Sequence, residues 1–196
     1  DAPSAGQDYL LQLTYQPSRS AEAYLRFRHE AKQGNAPGNE DSALNYLVPL
    51  PRTSWRLHFT QTLSPQLAIK ARGEMMRWNR NAPEGETGFL MFTEVAYKPS
   101  FSFGGNVRLQ YFETDGFNSR IYAFESDVLY GYSIPAFFDK GFRYYINLNW
   151  DVTRKLSLWA RAAQTVFSNR TIVGSGLDAI TGNRRTDVRL QLRYRL

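Results

Sequence analysis

A strict alternation of apolar and polar residues constrains the fold of this chain more than any other feature. The chain ends on the run VRLQLRYRL. Every second position is apolar, and arginine or glutamine lies between; the apolar positions are Val188, Leu190, Leu192, Tyr194 and Leu196. Because successive side chains of a β-strand point to opposite faces, this pattern predicts a strand with one apolar and one basic face. A helix would mix the two sets around its circumference.

The same alternation recurs along the whole chain, which indicates an all-β fold. It is clearest over residues 142–152 and 21–32, and it can be followed over 9–16, 54–63, 66–77, 88–98, 106–114 and 156–167. No stretch sustains the 3.6-residue period of an amphipathic helix. We therefore expect residues 1–196 to form a single antiparallel β domain.

The connections between these segments alternate between short and long. Short turns are expected at residues 17–20, 64–65, 99–100 and 153–155, and longer loops at 33–52, 79–87, 115 onward and 168–184. An up-and-down transmembrane β-barrel of an outer membrane has this asymmetry, with short turns in the periplasm and long loops outside the cell.

The composition is compatible with a membrane once the alternation is taken into account. The mean hydropathy is −0.48 and the formal net charge is +6, although 15% of the residues are aromatic. Apolar runs are far shorter than the roughly 20 residues of a transmembrane helix. If apolar side chains face lipid and arginines face inward, their opposite hydropathies cancel in the mean along the chain.

A soluble, lipocalin-like barrel is the alternative, with apolar side chains inward around a ligand. Three features favour the bacterial outer membrane instead. Many segments reach the roughly 9–11 residues needed to cross a bilayer. Aromatic residues cluster near the segment ends, as in the girdles of membrane barrels; they are Tyr9, Tyr15, Trp55, Trp78, Tyr97, Tyr111, Trp150 and Tyr194. The ending, with Tyr194 third from the end and Leu196 last, resembles the C-terminal signal read by the barrel-assembly machinery.

The direction of the strands predicts an odd number of them. If every short turn is periplasmic, nine strands cross the membrane, residue 1 lies outside the cell, and residues 115–140 form one extracellular excursion built as an extended hairpin. Bacterial barrels normally have an even number of strands. The chain would then be part of a larger barrel or pair with another chain. The rival prediction is a closed ten-stranded barrel in which residues 121–134 span the membrane.

The first residues, DAPSAGQ, lack the basic flank and apolar region of a signal peptide. We expect residue 1 to be either a mature end after processing or a position inside a longer protein.

Several segments resemble the C-terminal barrel region of Bacteroidota proteins that carry a helix-hairpin-helix domain. They are PSRS after the first strand, TDGFNSRIYAFESDVLYGYSIPAFFDKG, VGSGLD and the RLQLRYRL ending. The resemblance covers most of the chain and implies an outer-membrane barrel behind a periplasmic module that binds nucleic-acid backbones, as in DNA uptake. No helix-hairpin-helix segment occurs in this sequence, so nucleic acid as a partner is implied by the resemblance only.

The inward face is the strongest candidate for a functional site because it is rich in basic residues. The predicted lumen set is Arg26, Arg28, Arg56, Lys70, Arg72, Arg108, Arg143, Arg161, Arg189, Arg193 and Arg195. A positive lumen could bind or conduct anions, including nucleic acid. The alternative is a packed interior in which arginines pair with Glu22, Glu30, Glu74, Glu94 and Asp151. For a small barrel we favour the packed interior.

The sequence offers little for catalysis or metal binding. It has no cysteine and only two histidines, His29 and His58, which fall within strands with no aspartate nearby in sequence. The acidic residues Asp115, Glu125, Asp127 and Asp178 fall in predicted loops without EF-hand spacing. We expect solvated carboxylates, no metal, no cofactor and no enzymatic activity.

The 115–140 excursion is rich in aromatic residues, with a predicted extracellular patch of Tyr122, Phe124, Tyr130, Tyr132, Phe137 and Phe138. Such a patch could dock a partner, or the loop could fold over the barrel mouth and pack on itself.

Together these observations predict a porin-like outer-membrane β-barrel protein, structural or transport-related, embedded in outer-membrane lipid. Two alternatives stay open, namely the barrel subunit of a DNA-uptake or protein-secretion assembly and an outer-membrane hydrolase.

Overall fold

Nine long strands form one antiparallel sheet in the computed structural model, which describes residues 3, 5–35, 47–79 and 83–196. The long strands are β1 (Gly6–Ser18), β2 (Ala21–Asn35), β3 (Leu47–Ser64), β4 (Leu67–Trp78), β5 (Glu86–Tyr97), β6 (Phe103–Thr114), β9 (Lys140–Asp151), β10 (Leu156–Phe167) and β13 (Arg184–Tyr194). Four strands of two residues each complete the set, β7 (Ile121–Tyr122), β8 (Ala136–Phe137), β11 (Ile172–Val173) and β12 (Ile180–Thr181). Within the described ranges, no helix is long and apolar enough to cross a membrane.

The long strands follow one another around the sheet in chain order, which is an up-and-down meander. The order is β1-β2-β3-β4-β5-β6-β9-β10-β13, and every neighbouring pair is antiparallel. The prediction of nine long antiparallel strands is confirmed. The rival prediction, with residues 121–134 as a tenth spanning strand, is wrong, because β7 and β8 pair with each other in a separate small hairpin.

The pairing register separates the residues into two faces. Arg26 lies opposite Arg56, Arg56 opposite Glu74, and Glu74 opposite Leu90, so the basic positions of successive strands share a face. We call this the inner face, and the opposite one the outer face.

The inner face is concave. The rings of His58 on β3 and Phe92 on β5 lie 6.4 Å apart although β4 separates them. Those of Phe112 on β6 and Phe167 on β10 lie 5.9 Å apart across β9. Backbones two strands apart in a sheet are about 9.6 Å from each other. The side chains therefore converge, as they do inside a curled sheet.

The sheet is open at both edges in the described part of the chain. There β1 pairs only with β2, and β13 only with β10. All 13 residues of β1 are exposed. Because neighbours alternate in direction, the first and ninth strands of the sheet run parallel to each other.

Residues 115–139, here the covering segment, fold back onto the inner face. This differs from the predicted hairpin standing beyond the strands. The segment is a hairpin, closed by β7 and β8 and by a bridge from Glu125 to Ser133. Ile121, Ala123 and Phe137 of this hairpin are buried in one cluster with the inner-face residues Met76, Leu90, Phe92 and Phe112. Apolar side chains on both surfaces hold the hairpin down.

One predicted loop is shorter than expected because the strands on either side of it extend further. β2 continues to Asn35 and β3 begins at Leu47, within the predicted 33–52 loop. Proline lacks an N–H and normally interrupts a sheet. Pro51 instead offers its carbonyl to the Asn79 N–H at 2.8 Å, at the point where β4 ends. Pro51 lies just beyond Arg52, the last residue of β3 that pairs with β4, so its missing N–H falls at the end of the β3–β4 ladder. By contrast, the predicted 168–184 loop ends where β13 begins, at Arg184, four residues before the alternating run from Val188.

Gly88 lies close to the backbone of the covering segment. A Cβ at this position would lie 2.3 Å from the Ser119 carbonyl oxygen, whereas a Cβ at Gly73 would meet nothing within 4 Å. We expect Gly88→Ala to lower the free energy of unfolding by about 1–3 kcal/mol, as overpacking does. The measurement is urea unfolding followed by tryptophan fluorescence.

The matched control is Gly73→Ala, which should leave stability unchanged or slightly raised, because alanine restricts the unfolded chain more than glycine does. Equal destabilisation by both substitutions would show that the close contact at Gly88 is unimportant.

Candidate functional site

The inner face gathers the predicted lumen residues on one surface. Ten of them lie in strands on this face: Arg26, Arg28, Arg56, Lys70, Arg72, Arg108, Arg143, Arg161, Arg189 and Arg193. Arg195 lies just beyond β13, where its backbone N–H donates to the Lys155 carbonyl at 2.8 Å. The register thus brings together basic residues from β2 to β13.

Two glutamates of the sheet pair with part of this basic set. Glu94 is 2% exposed and accepts from Arg108 at 2.6 and 3.0 Å. It also accepts from the Tyr145 hydroxyl at 2.5 Å. Glu74 accepts from Arg56 at 2.8 and 3.2 Å, and Arg72 donates to the same carboxylate.

The covering segment supplies two further carboxylates. Glu125 is fully buried and accepts from Arg143 at 2.6 and 2.9 Å, and Arg161 donates to it as well. The Asp127 side chain is also buried and pairs with Arg161 and Arg189. These residues were expected to be solvated loop carboxylates. That expectation is wrong because the segment lies against the arginines. By contrast, Asp115 accepts from Thr87, and Asp178 lies in an exposed single turn.

Charges in the buried layer balance only when the covering segment is in place. Four arginines of the sheet are buried: Arg72, Arg108, Arg143 and Arg161. The buried carboxylates of the sheet are Glu74 and Glu94. Glu125 and Asp127 bring the total to four against four. Removing a charge from water costs several kcal/mol unless it is paired, so the segment is needed to keep these arginines buried.

Alternate backbone carbonyls of the covering segment accept hydrogen bonds from side chains of β3, β4, β6 and β9. Arg52 of β3 donates to the Arg120 carbonyl at 2.6 Å, and Arg72 of β4 to the Tyr122 carbonyl at 3.0 Å. Further along the segment, the carbonyls of Phe124 and Ser126 accept from Arg108 of β6 at 2.6 Å and Asn147 of β9 at 2.8 Å. The segment therefore runs across the strands. Buried backbone acceptors need such partners.

The aromatic residues of the covering segment do not form one surface patch. Phe137 is buried against Phe112, with ring centroids 5.3 Å apart, and is therefore wrongly included in the predicted patch. Phe138 is half-buried and packs on Phe117 at 5.2 Å. Tyr122, Phe124, Tyr130 and Tyr132 are exposed, with Phe124 and Tyr132 in contact. The segment uses part of its aromatic content to fix itself to the sheet.

Three openings remain around the covering segment. A cavity of about 420 Å³ lies near the short turns and is lined by amides such as Asn106 and Asn147. A second, of about 520 Å³, lies between the segment and β9, β10 and β13. The third, of about 370 Å³, lies over β1 to β3 and is here called the basic groove. It is lined by Leu10, Arg26, Arg28, Glu30, Lys32, Arg52, Ser54, Arg56, Glu74 and Tyr122.

Neither histidine has a carboxylate hydrogen-bond partner among the described residues. His29 bonds to the Thr53 hydroxyl at 2.9 Å, and His58 to the Thr60 hydroxyl at 3.2 Å while stacking on Tyr24. The described ranges also contain no group of three or more histidine, cysteine, aspartate or glutamate side chains able to hold a metal ion.

Sequence reasoning missed two residues that organise the inner face. Arg52 was assigned to the predicted 33–52 loop, whereas it lies in β3. Tyr145 lies between Arg143 and Asn147 on the basic face. Its position in the alternation could have predicted that its hydroxyl is buried on the inner face.

Comparison with solved structures yields a structural likeness. No family model matches the chain, and no curated protein matches it. Among solved structures, the chain is similar to the copper transporter OprC, with a TM-score of 0.46 and 13% sequence identity. The alignment covers 97% of this chain and 34% of that one, so the chain spans about a third of the length of OprC.

The ion pairs of Glu125 can be tested by a neutral replacement of similar shape. Glu125→Gln leaves two buried arginines short of a partner, and we expect a loss of about 3–5 kcal/mol in the free energy of unfolding. Urea titration measures this loss.

Glu113→Gln is the matched control, since Glu113 pairs with Lys140 where both side chains are nearly half exposed. Exposed pairs contribute about 0–1 kcal/mol. Losses of similar size for the two variants would contradict the anchoring role of Glu125.

Proposed function

We propose that this chain forms a section of the wall of a bacterial outer-membrane β-barrel, with its outer face in contact with lipid. The outer face supports this, because it exposes large apolar side chains on strands from β1 to β13, including Leu11, Leu57, Leu109, Ile146 and Leu190. Soluble monomers rarely expose apolar patches larger than a few hundred Å². Every long strand also has at least 11 residues, enough to cross a bilayer.

The proposed wall includes strands beyond the nine of this sheet. An unpaired strand edge inside a bilayer leaves N–H and C=O groups without partners, which costs several kcal/mol for each group. Both edges here are unpaired and run parallel. Antiparallel closure therefore requires an odd number of additional strands, from the same protein or from another chain. The resulting even total is the usual one in bacterial barrels.

The proposed role is transport-related and non-enzymatic, with the covering segment acting as a constriction. The observation that carries this proposal is the pairing of Glu125 and Asp127 with arginines of β9, β10 and β13, which holds the segment across the inner face. A route along this face must pass around the segment or displace it. The positive character of the route favours anions over cations.

Depth in the bilayer provides a test of the lipid-facing surface. Leu109 lies midway along β6 on the outer face, and Phe103 begins the same strand. In the full-length protein in lipid vesicles, Leu109→Arg should lower the free energy of unfolding by about 2–4 kcal/mol. Phe103→Arg should lower it by about 0–1 kcal/mol. Urea-dependent unfolding in the vesicles gives both values.

If the outer face met water, both substitutions would be surface changes within about 0.5 kcal/mol of zero. That result would contradict the proposed placement in lipid.

The constriction can be tested by conductance in planar bilayers. The full-length protein should conduct poorly, and replacing residues 121–137 by a short glycine-serine linker should raise its conductance and give anion selectivity. A wide, stable pore in the unaltered protein would contradict the constriction. The Glu113→Gln variant, altered outside the segment, serves as the control for nonspecific leakage.

A further inference from the structure

We propose that the basic groove binds a multiply charged oxyanion, of which a phosphate group is the representative chemistry. The inference deepens the proposed transport role by assigning a ligand class to the inner face. It rests on the proposed function in one respect, because it takes the inner face as the transport route.

Positive charge is in surplus at the basic groove. Five basic side chains line it (Arg26, Arg28, Lys32, Arg52 and Arg56), against two carboxylates (Glu30 and Glu74), which leaves a net charge of 5 − 2 = +3. Three charged residues outside the lining bond to lining residues, namely Asp8 to Arg28, Arg72 to Glu74 and Arg120 to the Tyr122 hydroxyl. Together they add a net charge of −1 + 2 = +1, so the surplus is not reduced.

The surplus is concentrated on particular arginines. Arg28 and Lys32 are neutralised locally, because Asp8 bonds Arg28 at 2.9 Å and Glu30 pairs with Lys32. Glu74 is shared by Arg56 and Arg72. Within the described residues, Arg26 and Arg52 have no carboxylate within 4 Å, and their bonds go to the Gln12 amide oxygen and the Arg120 carbonyl. The groove therefore holds guanidinium groups that only neutral oxygens satisfy.

The strand register forces like charges together at this place. Arg26 and Arg56 are direct cross-strand partners of β2 and β3 on the inner face. Like charges in directly opposite positions destabilise a sheet. Elsewhere on the inner face, the buried arginines have the carboxylates of Glu94, Glu125 and Asp127. A bound anion would relieve the repulsion between Arg26 and Arg56, which have too few carboxylates nearby to neutralise both charges.

The chemistry of the groove fits phosphate better than a simple halide. A guanidinium presents its donors in a planar fork that matches two oxygens of a phosphate or carboxylate. A phosphate monoester carries about −1.5 to −2 charges at neutral pH, which would offset most of the surplus. The groove is partly open to solvent, and Arg28 retains 45% of its side-chain exposure, so a ligand can enter it.

The test is isothermal titration calorimetry of the full-length protein in a neutral detergent, at constant ionic strength, with inorganic phosphate as the probe. We expect saturable binding that chloride does not reproduce. Arg26→Gln removes the unneutralised charge and should weaken binding about tenfold or more, as loss of one charge-assisted hydrogen bond does. Arg52→Gln is a second variant, at the other end of the groove, and should have the same effect.

Arg154→Gln is the matched control, since it removes one positive charge in the exposed turn between β9 and β10. It should change the affinity less than twofold. Absence of saturable binding, or equal weakening by Arg26→Gln and Arg154→Gln, would overturn the proposal. Competition by a short-chain phosphatidylglycerol would identify a phosphodiester headgroup as a source, and failure to compete would assign the groove to free phosphate or a monoester. Because binding is measured in detergent, its failure leaves the test of Leu109→Arg in lipid unaffected.

Discussion

The pairing of buried arginines with carboxylates is the interaction on which the rest of this structure depends. A curled sheet with an arginine-rich inner face can bury those side chains only if opposite charge reaches them. Glu74 and Glu94 of the sheet supply half of it, and Glu125 and Asp127 of the covering segment supply the other half. The arginines of the inner face can therefore stay buried only while the covering segment lies on that face.

The faces of the strands could be predicted from the sequence because the period of two is a local property. Once Arg108 and Arg143 are assigned to strands, alternation alone places them on the side opposite Leu109 and Tyr144. Strand ends were harder to predict. Residues 33–52 were expected to form a loop, and only the end of β4 at Trp78 shows why Pro51 is tolerated in that part of β3.

The candidate site was only partly predictable, since its completion depends on contacts distant in sequence. The basic set of the inner face follows from parity. The partners of Glu125 do not, because Arg143 and Arg161 lie 18 and 36 residues away and meet it only when the covering segment folds back. The aromatic residues of that segment were ambiguous for the same reason. Phe137 and Tyr132 have similar composition around them, yet one is buried and the other exposed.

The distribution of charge couples closure of the inner face to its attraction for anions. With the covering segment in place, the layer of Arg108, Arg143 and Arg161 is paired with carboxylates, and the basic groove over β1 to β3 keeps a surplus of positive charge. If the segment moved away, two carboxylates would leave with it, and the arginines of β9 and β10 would join the surplus. A negatively charged ligand would then replace the lost carboxylates at those arginines. Under the proposed function, an anion at Arg143 and Arg161 would take the place of the segment's carboxylates and would lower the electrostatic cost of an open state.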